Sequence, residues 1–272
     1  IMGFGCNVPA IMATRTIESR KSRLITMLII PLMSCAGRMP VYVLIAGAFF
    51  PKRAGLVLLG LYALGILLAV LAARIMSLFF KEDDLPFVME LPPYRVPTGK
   101  SIFRHTWEKG RQYLQKMSGV ILICSLIIWF LGYFPNHDAY STPQEQQEHS
   151  FIGYVGKAME PVLEPLGFDW RMGVGIVAGV GAKELVVSTL GVMYADEQPM
   201  EESSGDTRLQ KALVKSVTPP AALAYMVFIL LYFPCIATFV AIKNESGGWK
   251  WAIITAVYTI VLAWVAAFLT FQ

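Results

Sequence analysis

Three thiols offer the chemistry in this sequence. Cys6, Cys35 and Cys235 each lie near a helix breaker, Pro9, Pro40 and Pro234, within apolar stretches. Proline removes a backbone donor, and carbonyls freed inside a bilayer must face protein or a watery cavity. Thiolate sulfur suits softer transition metals, and freed carbonyls with Asn7 could complete a looser shell around a borderline divalent ion. Cys6, Cys35 and Cys235 are therefore candidate metal contacts. Cys124, in an unbroken apolar run, reads as a small hydrophobe.

Charge supplies the second set of candidates. Arg38, Lys183 and Glu184 fall near the middles of apolar segments, where an unpaired charge costs about 2.5 to 3.5 kcal/mol or more. The expectation is that Glu184 pairs with Arg38 or Lys183, either as a purely structural neutralisation or as part of a gate, and Asn7 is a further transport or gating candidate. Other patterns carry less. Gly99-Lys100-Ser101 lacks the preceding glycine of a phosphate loop, since Tyr94 stands there and Pro97 interrupts the loop. His137, Asp138, Glu145, Glu148 and His149 read as a solvated loop, and Asn244-Glu245-Ser246 as a chance glycosylation match. Neither a Ser, His and carboxylate grouping nor a His-Glu-x-x-His motif occurs, so no enzyme is expected.

The elements that must position these residues are membrane helices. Of 272 residues, 56% are hydrophobic and 15% charged, against about 25% charged in soluble domains. Apolar runs of spanning length are predicted at Leu24 to Phe50, Ala54 to Phe80, Met117 to Phe134, Val217 to Ile242 and Trp249 to Phe271. Ile1 to Ala13 reads as the tail of a further membrane segment, and no signal-peptide pattern opens the chain. The net charge of +4 is too small and too scattered for a nucleic-acid partner. The four cysteines lack the spacing of a disulfide framework. The fold class expected is all-α, a polytopic membrane protein with proline-broken or re-entrant helices.

The positive-inside rule sets the topology. Thr14 to Arg23 carries Arg15, Arg20, Lys21 and Arg23 against Glu18, and Lys81 to Lys116 carries seven Lys or Arg, so both are assigned to the cytoplasm. Phe103, Trp107, Leu114 and Met117 share one helical stripe, as in an interfacial helix. Pro135 to Ser150 has no Lys or Arg and is placed outside, followed by an interfacial helix within Phe151 to Trp170. The Gly-rich Met172 to Tyr194 is read as crossing, which puts Arg208, Lys211, Lys215 and the C-terminus inside; a segment that dips and returns would reverse both. The acidic stretch Asp196 to Asp206 is assigned no structure.

The two ends repeat each other. Gly5 to Arg15, a polar link, the broken span with Cys35, and Ala54 to Phe80 are echoed by Gly181 to Leu190, the acidic insert, the broken span with Cys235, and Trp249 to Phe271. The chain divides accordingly into a first gate repeat (1–80), a cytoplasmic connector (81–116), a span with external loop and interfacial helix (117–170) and a second gate repeat (171–272). Repeats with paired broken helices point to a transport site near the bilayer midplane. They are parallel if Met172 to Tyr194 crosses and inverted if it is re-entrant.

Gly5-Cys6-Asn7-Val8-Pro9-Ala10-Ile11-Met12-Ala13-Thr14-Arg15 and Ser34-Cys35-Ala36-Gly37-Arg38-Met39-Pro40-Val41-Tyr42 resemble the gate region of the FeoB bacterial ferrous-iron transporters. Met89-Glu90-Leu91-Pro92-Pro93-Tyr94, Ala182-Lys183-Glu184 and Pro234-Cys235 extend the resemblance over nearly the whole chain. Where the family reads Ala-Arg-Leu-Pro after its Ser-Cys and a small residue, this chain has Gly37-Arg38-Met39-Pro40, a local packing change. The resemblance implies import of ferrous iron as cargo across the inner or cytoplasmic membrane, with Cys6, Cys35 and Cys235 as iron contacts and Glu184 as a gate or secondary site. It implies no cofactor here, with GTP and Mg2+ confined to a GTP-binding domain upstream of residue 1. Its implied partners are that domain, membrane lipid and a small cytosolic accessory protein, and a homo-oligomer stays open. Competing readings are a gate-type transporter of a nucleoside or other organic solute, and a membrane scaffold acting through Lys81 to Lys116.

Overall fold

A computed structural model describes residues 2–79, 98–134, 149–194 and 205–272, with backbone alone at several positions in 105–128 and at 205–208. The Lys81 to Lys116 connector before residue 98, the acidic external loop up to residue 148 and most of the Asp196 to Asp206 insert lie outside the described residues. So do the side chains of Leu114, Met117 and Cys124. Among the described residues every regular element is helical.

Among the described residues four apolar stretches are long enough to cross a membrane: Arg20–Phe49, Ala54–Phe79, Pro219–Ser246 and Trp249–Phe271. The first and third are broken. Helix α1 (Asn7–Ala13) precedes α2 (Arg20–Ile29), which tightens into a 3₁₀ turn at Ile30–Leu32, unwinds, and resumes as α3 (Met39–Phe49). Pro31 lies in that turn, while Met33 (ψ 138) and Cys35 (ψ 163) are extended. Pro40, in the first turn of α3, removes a donor that would have had no intrahelical partner there. Helix α4 (Ala54–Phe79) completes the first repeat. Helix α5 (Gly99–Tyr133) runs unbroken, so the expected interfacial helix and the expected span Met117 to Phe134 are one element. On its first half Phe103 and Trp107 stack at 6.4 Å, 72% and 68% exposed, as suits an interfacial face. Helix α6 (Phe151–Leu163) follows, capped by Ser150, and buries Ile152, Gly153, Gly156 and Leu163.

The largest correction concerns Met172 to Tyr194. It forms two helices, α7 (Trp170–Gly181) and α8 (Leu185–Met193), separated at Ala182 to Glu184. They fold back on each other. Tyr194 at the end of α8 donates its hydroxyl to Asp169, which caps the start of α7, at 2.9 and 2.8 Å to the two carboxylate oxygens. Glycine on α7 permits the close approach: a Cβ added at Gly175 would lie 3.3 Å from Leu190 Cδ2, and one at Gly179 would lie 2.5 Å from Val186 Cγ2. The segment is a re-entrant hairpin, and the reading of it as a crossing span is overturned.

Helices α9 (Gly205–Ser216), α10 (Pro219–Leu231), α11 (Ile236–Ser246) and α12 (Trp249–Phe271) complete the chain. A second contact fixes the sense of the repeats. Glu245, at the end of α11, accepts from Arg15 Nε at 2.7 Å and Arg23 Nη2 at 3.1 Å, and its carbonyl accepts from Arg23 at 3.0 Å. Had residues 172–194 crossed, Glu245 would lie on the opposite face from Arg15 and Arg23. With the hairpin returning, α10 and α11 bring it back to them. The far end of α12 agrees, for Phe271 packs on Gly167 and Trp264 donates to the Val162 carbonyl at 3.0 Å, beside α6. The repeats are therefore inverted. Each repeat's opening element packs on the second half of the other's broken span: α1 on α11, and α8 on α3. Arg15, Arg20, Lys21, Arg23, Lys243 and Lys250 share one face, the side to which the positive-inside rule assigns Thr14 to Arg23. Arg208, Lys211, Lys215 and the C-terminus fall on the other face, opposite to expectation.

Candidate functional site

Each candidate thiol occupies the residue immediately before a helix. Cys6 (ψ 135) precedes α1, Cys35 (ψ 163) the 3₁₀ turn Ala36–Arg38 leading into α3, and Cys235 (ψ 152) α11. Glu184 holds the equivalent place before α8. None of the four forms a side-chain cap bond. Serine, threonine, aspartate or asparagine would cap these ends by about 0.5 to 2 kcal/mol. Sulfur forgoes that stabilisation, and the helix starts keep donors and positive dipole ends that favour an anionic ligand atom.

The breaks bring these residues together. The Gly5 carbonyl accepts from Ala36 N–H at 3.0 Å, joining the start of α1 to the first break beside Cys35. Cys6 and Cys235 both pack on the pair Val8 and Ala237. Cys6 thus lies between the two breaks. All three thiols are half-buried, and Gly5, Ala36 and Glu184 around them are exposed. Cys235 Sγ sits 3.1 Å from Thr238 Oγ1. Among the described residues no three His, Cys, Asp or Glu side chains are close enough to chelate one ion together.

The intramembrane cations find partners of an unexpected kind. Arg38, 1% exposed, donates to the Met33 carbonyl at 2.9 Å and the Pro31 carbonyl at 3.2 Å. Lys183, 4% exposed, donates to the Phe233 carbonyl at 2.7 Å and lies 3.1 Å from the centre of the Tyr232 ring. Each cation therefore neutralises the negative end of a half-helix cut short by its break. No ion pair joins Glu184 to either cation among the described residues, so the expected Glu184 pairing does not form. Glu184 instead meets the first break: a Cβ added at Gly37 would lie 2.6 Å from Glu184 Oε1, so the carboxylate rests against that glycine. Asn7 is buried near Gly3 and Met33.

The sequence alone assigns no role to Ser34, Tyr42, Tyr225 or Tyr232. Asn7 Oδ1, Ser34 Oγ, Arg38 Nε and Tyr42 Oη are buried without a hydrogen-bond partner. Tyr42 and Ser34 lie side by side but do not align into a bond. Tyr225 and Tyr232 tie α10 to the carbonyls of Met172 and Ile176 on α7, each at 3.4 Å.

An all-α multi-pass membrane protein whose inverted repeats meet at paired, cation-capped helix breaks belongs to the gate class. Residues 1–49 and 114–249 match the family model described as "Gate: Nucleoside recognition", and residues 58–109 match "Ferrous iron transport protein B C terminus". Over its whole length the chain is 51% identical to 37% of an Fe(2+) transport protein A/Fe(2+) transporter FeoB fusion protein of Porphyromonas gingivalis. It is likewise 42% identical over its whole length to 40% of the Fe(2+) transporter FeoB of Staphylococcus aureus. With 98% of the chain aligned, it is 41% identical to 39% of that of Methanocaldococcus jannaschii. No solved structure matches. The chain belongs to the FeoB ferrous-iron transporter family, as the C-terminal membrane (gate) region, in the bacterial inner membrane. It spans about two-fifths of the length of these curated relatives.

Proposed function

We propose that this chain forms the membrane pathway for ferrous-iron import. Cys6, Cys35 and Cys235 contact the cation in turn, while Asn7, Arg38, Lys183 and Glu184 set the opening of the breaks. The observation that carries this reading is the placement of three thiols at half-helix starts on three segments that meet between the breaks. Sulfur softness favours ferrous iron over the harder, oxygen-preferring magnesium and calcium. A path of successive contacts, instead of one chelating cage, keeps binding weak enough for release. The chain performs no covalent chemistry. In the whole protein, GTP handling is the work of a separate domain, and the fusion to Fe(2+) transport protein A in the Porphyromonas relative supports a small accessory protein as partner.

The family description "Nucleoside recognition" and the polar aromatics Tyr42 and Tyr232 favour one alternative cargo, a nucleoside. Uptake assays in cells lacking their own importers, expressing the full-length protein, separate the two. The expected result is uptake of ascorbate-reduced iron well above the empty-vector level and unaffected by excess uridine. Uridine uptake without iron uptake would overturn the proposal.

A further inference from the structure

The tip of the re-entrant hairpin touches both helix breaks with adjacent residues. Glu184 lies against Gly37 in the first break, and Lys183 reaches the Phe233 carbonyl in the second. The two buried cations differ in what they join. Arg38 bonds carbonyls five and seven residues back in its own broken helix, so it moves with that helix. Lys183 bonds a carbonyl 50 residues away on another element. It is the link between hairpin and broken helix, and no carboxylate accompanies it within ion-pair distance among the described residues. Only Pro234 separates Phe233 from Cys235, and Cys235, Cys35, Arg38 and Glu184 all lie within electrostatic range of the Lys183 ammonium.

We propose that Lys183 is a tethered stand-in for the transported cation: its ammonium holds the Phe233 carbonyl while the path is empty, and the arriving divalent ion takes that carbonyl together with Cys235, releasing the hairpin tip. This rests on the iron reading above. A divalent cation at Cys235 and an ammonium on Phe233 repel strongly in a water-poor site, so occupancy of one excludes the other. Among the described residues the hairpin tip shows no second charge-assisted hydrogen bond to the breaks, and Glu184 is exposed against Gly37. Ion entry and tip release are therefore one event, and no ion enters the second break without loosening the hairpin.

The test uses the full-length protein in detergent or vesicles, with labelling of Cys235 by a small methanethiosulfonate read by peptide mass spectrometry. Without metal, Lys183→Met is expected to raise the labelling rate about tenfold, the loss of one charge-assisted bond, and Lys183→Arg to stay near wild type. Should Lys183→Met fail to fold, Tyr232→Leu, which removes the ring under the ammonium, is expected to raise the rate several-fold. Added ferrous iron is expected to speed amide exchange at residues 183–186 in wild type. Equal labelling of Lys183→Met and wild type, in a protein that takes up iron normally, overturns the tie alone. A labelling contrast in a protein that takes up no ferrous iron overturns the iron reading and the cargo's part in release.

Discussion

Cys35→Ser and Cys235→Ser are each expected to lower ferrous-iron uptake by at least about tenfold while leaving the fold as stable as before or more so. The two effects oppose each other because of where the thiols stand. Both residues precede a helix start without capping it. A serine hydroxyl caps such an end, adding about 0.5 to 2 kcal/mol. The same change replaces a soft sulfur by a hard, neutral oxygen, and even indirect changes around bound metals cost about 10- to 100-fold in affinity or activity. A merely structural cysteine would show neither the loss nor the sign difference. Radioactive iron uptake, with thermal unfolding of the same purified variants, checks both halves. Unchanged uptake in both variants would remove sulfur from the pathway.

Gly179→Val is expected to be the most destabilising single change in the second repeat. A Cβ there would run into the Tyr232 hydroxyl and come within 2.5 Å of Val186 Cγ2. Tyr232 is fully buried and bears the Lys183 ammonium, and Val186 is buried on the returning helix α8. Neither can yield without separating the hairpin arms or moving α10. Overpacking of this kind costs about 1 to 3 kcal/mol, occasionally more. For a chain of this size that lowers the unfolding midpoint by roughly 4 to 10 °C. Gly60→Val on α4 is the control, since nothing lies within 4 Å of a Cβ there. Equal midpoints for the two variants, by fluorescence-detected size exclusion after heating, would contradict the packing described.

Much of the architecture was legible because hydropathy and proline report directly on backbone solvation. The spans, both breaks and the matching places of Cys35 and Cys235 follow from that. Re-entrance was not legible, for Met172 to Tyr194 has the length of a span and glycine marks close packing without direction. The clue was the polar Lys183-Glu184 pair splitting the segment into two half-length helices. Arg208, Lys211 and Lys215 argue the other way under the positive-inside rule, yet they sit on the face opposite Arg15 and Arg23. Glu245 was passed over as part of a glycosylation match, because its role depends on Arg15 and Arg23, more than 220 residues away. The partners of Arg38 and Lys183 were sought among carboxylates. A helix cut short by its break exposes carbonyls that serve a cation as well, and only the three-dimensional arrangement shows which ones.

The central claim is that ferrous iron meets sulfur between the two helix breaks. X-ray absorption at the iron edge of the full-length protein loaded with ferrous iron under reducing conditions tests it most directly. The account predicts a sulfur atom bonded to iron in the wild type, with that signal lost or replaced by oxygen in the Cys35→Ser, Cys235→Ser double variant. Iron surrounded only by oxygen and nitrogen in the wild-type protein would contradict it.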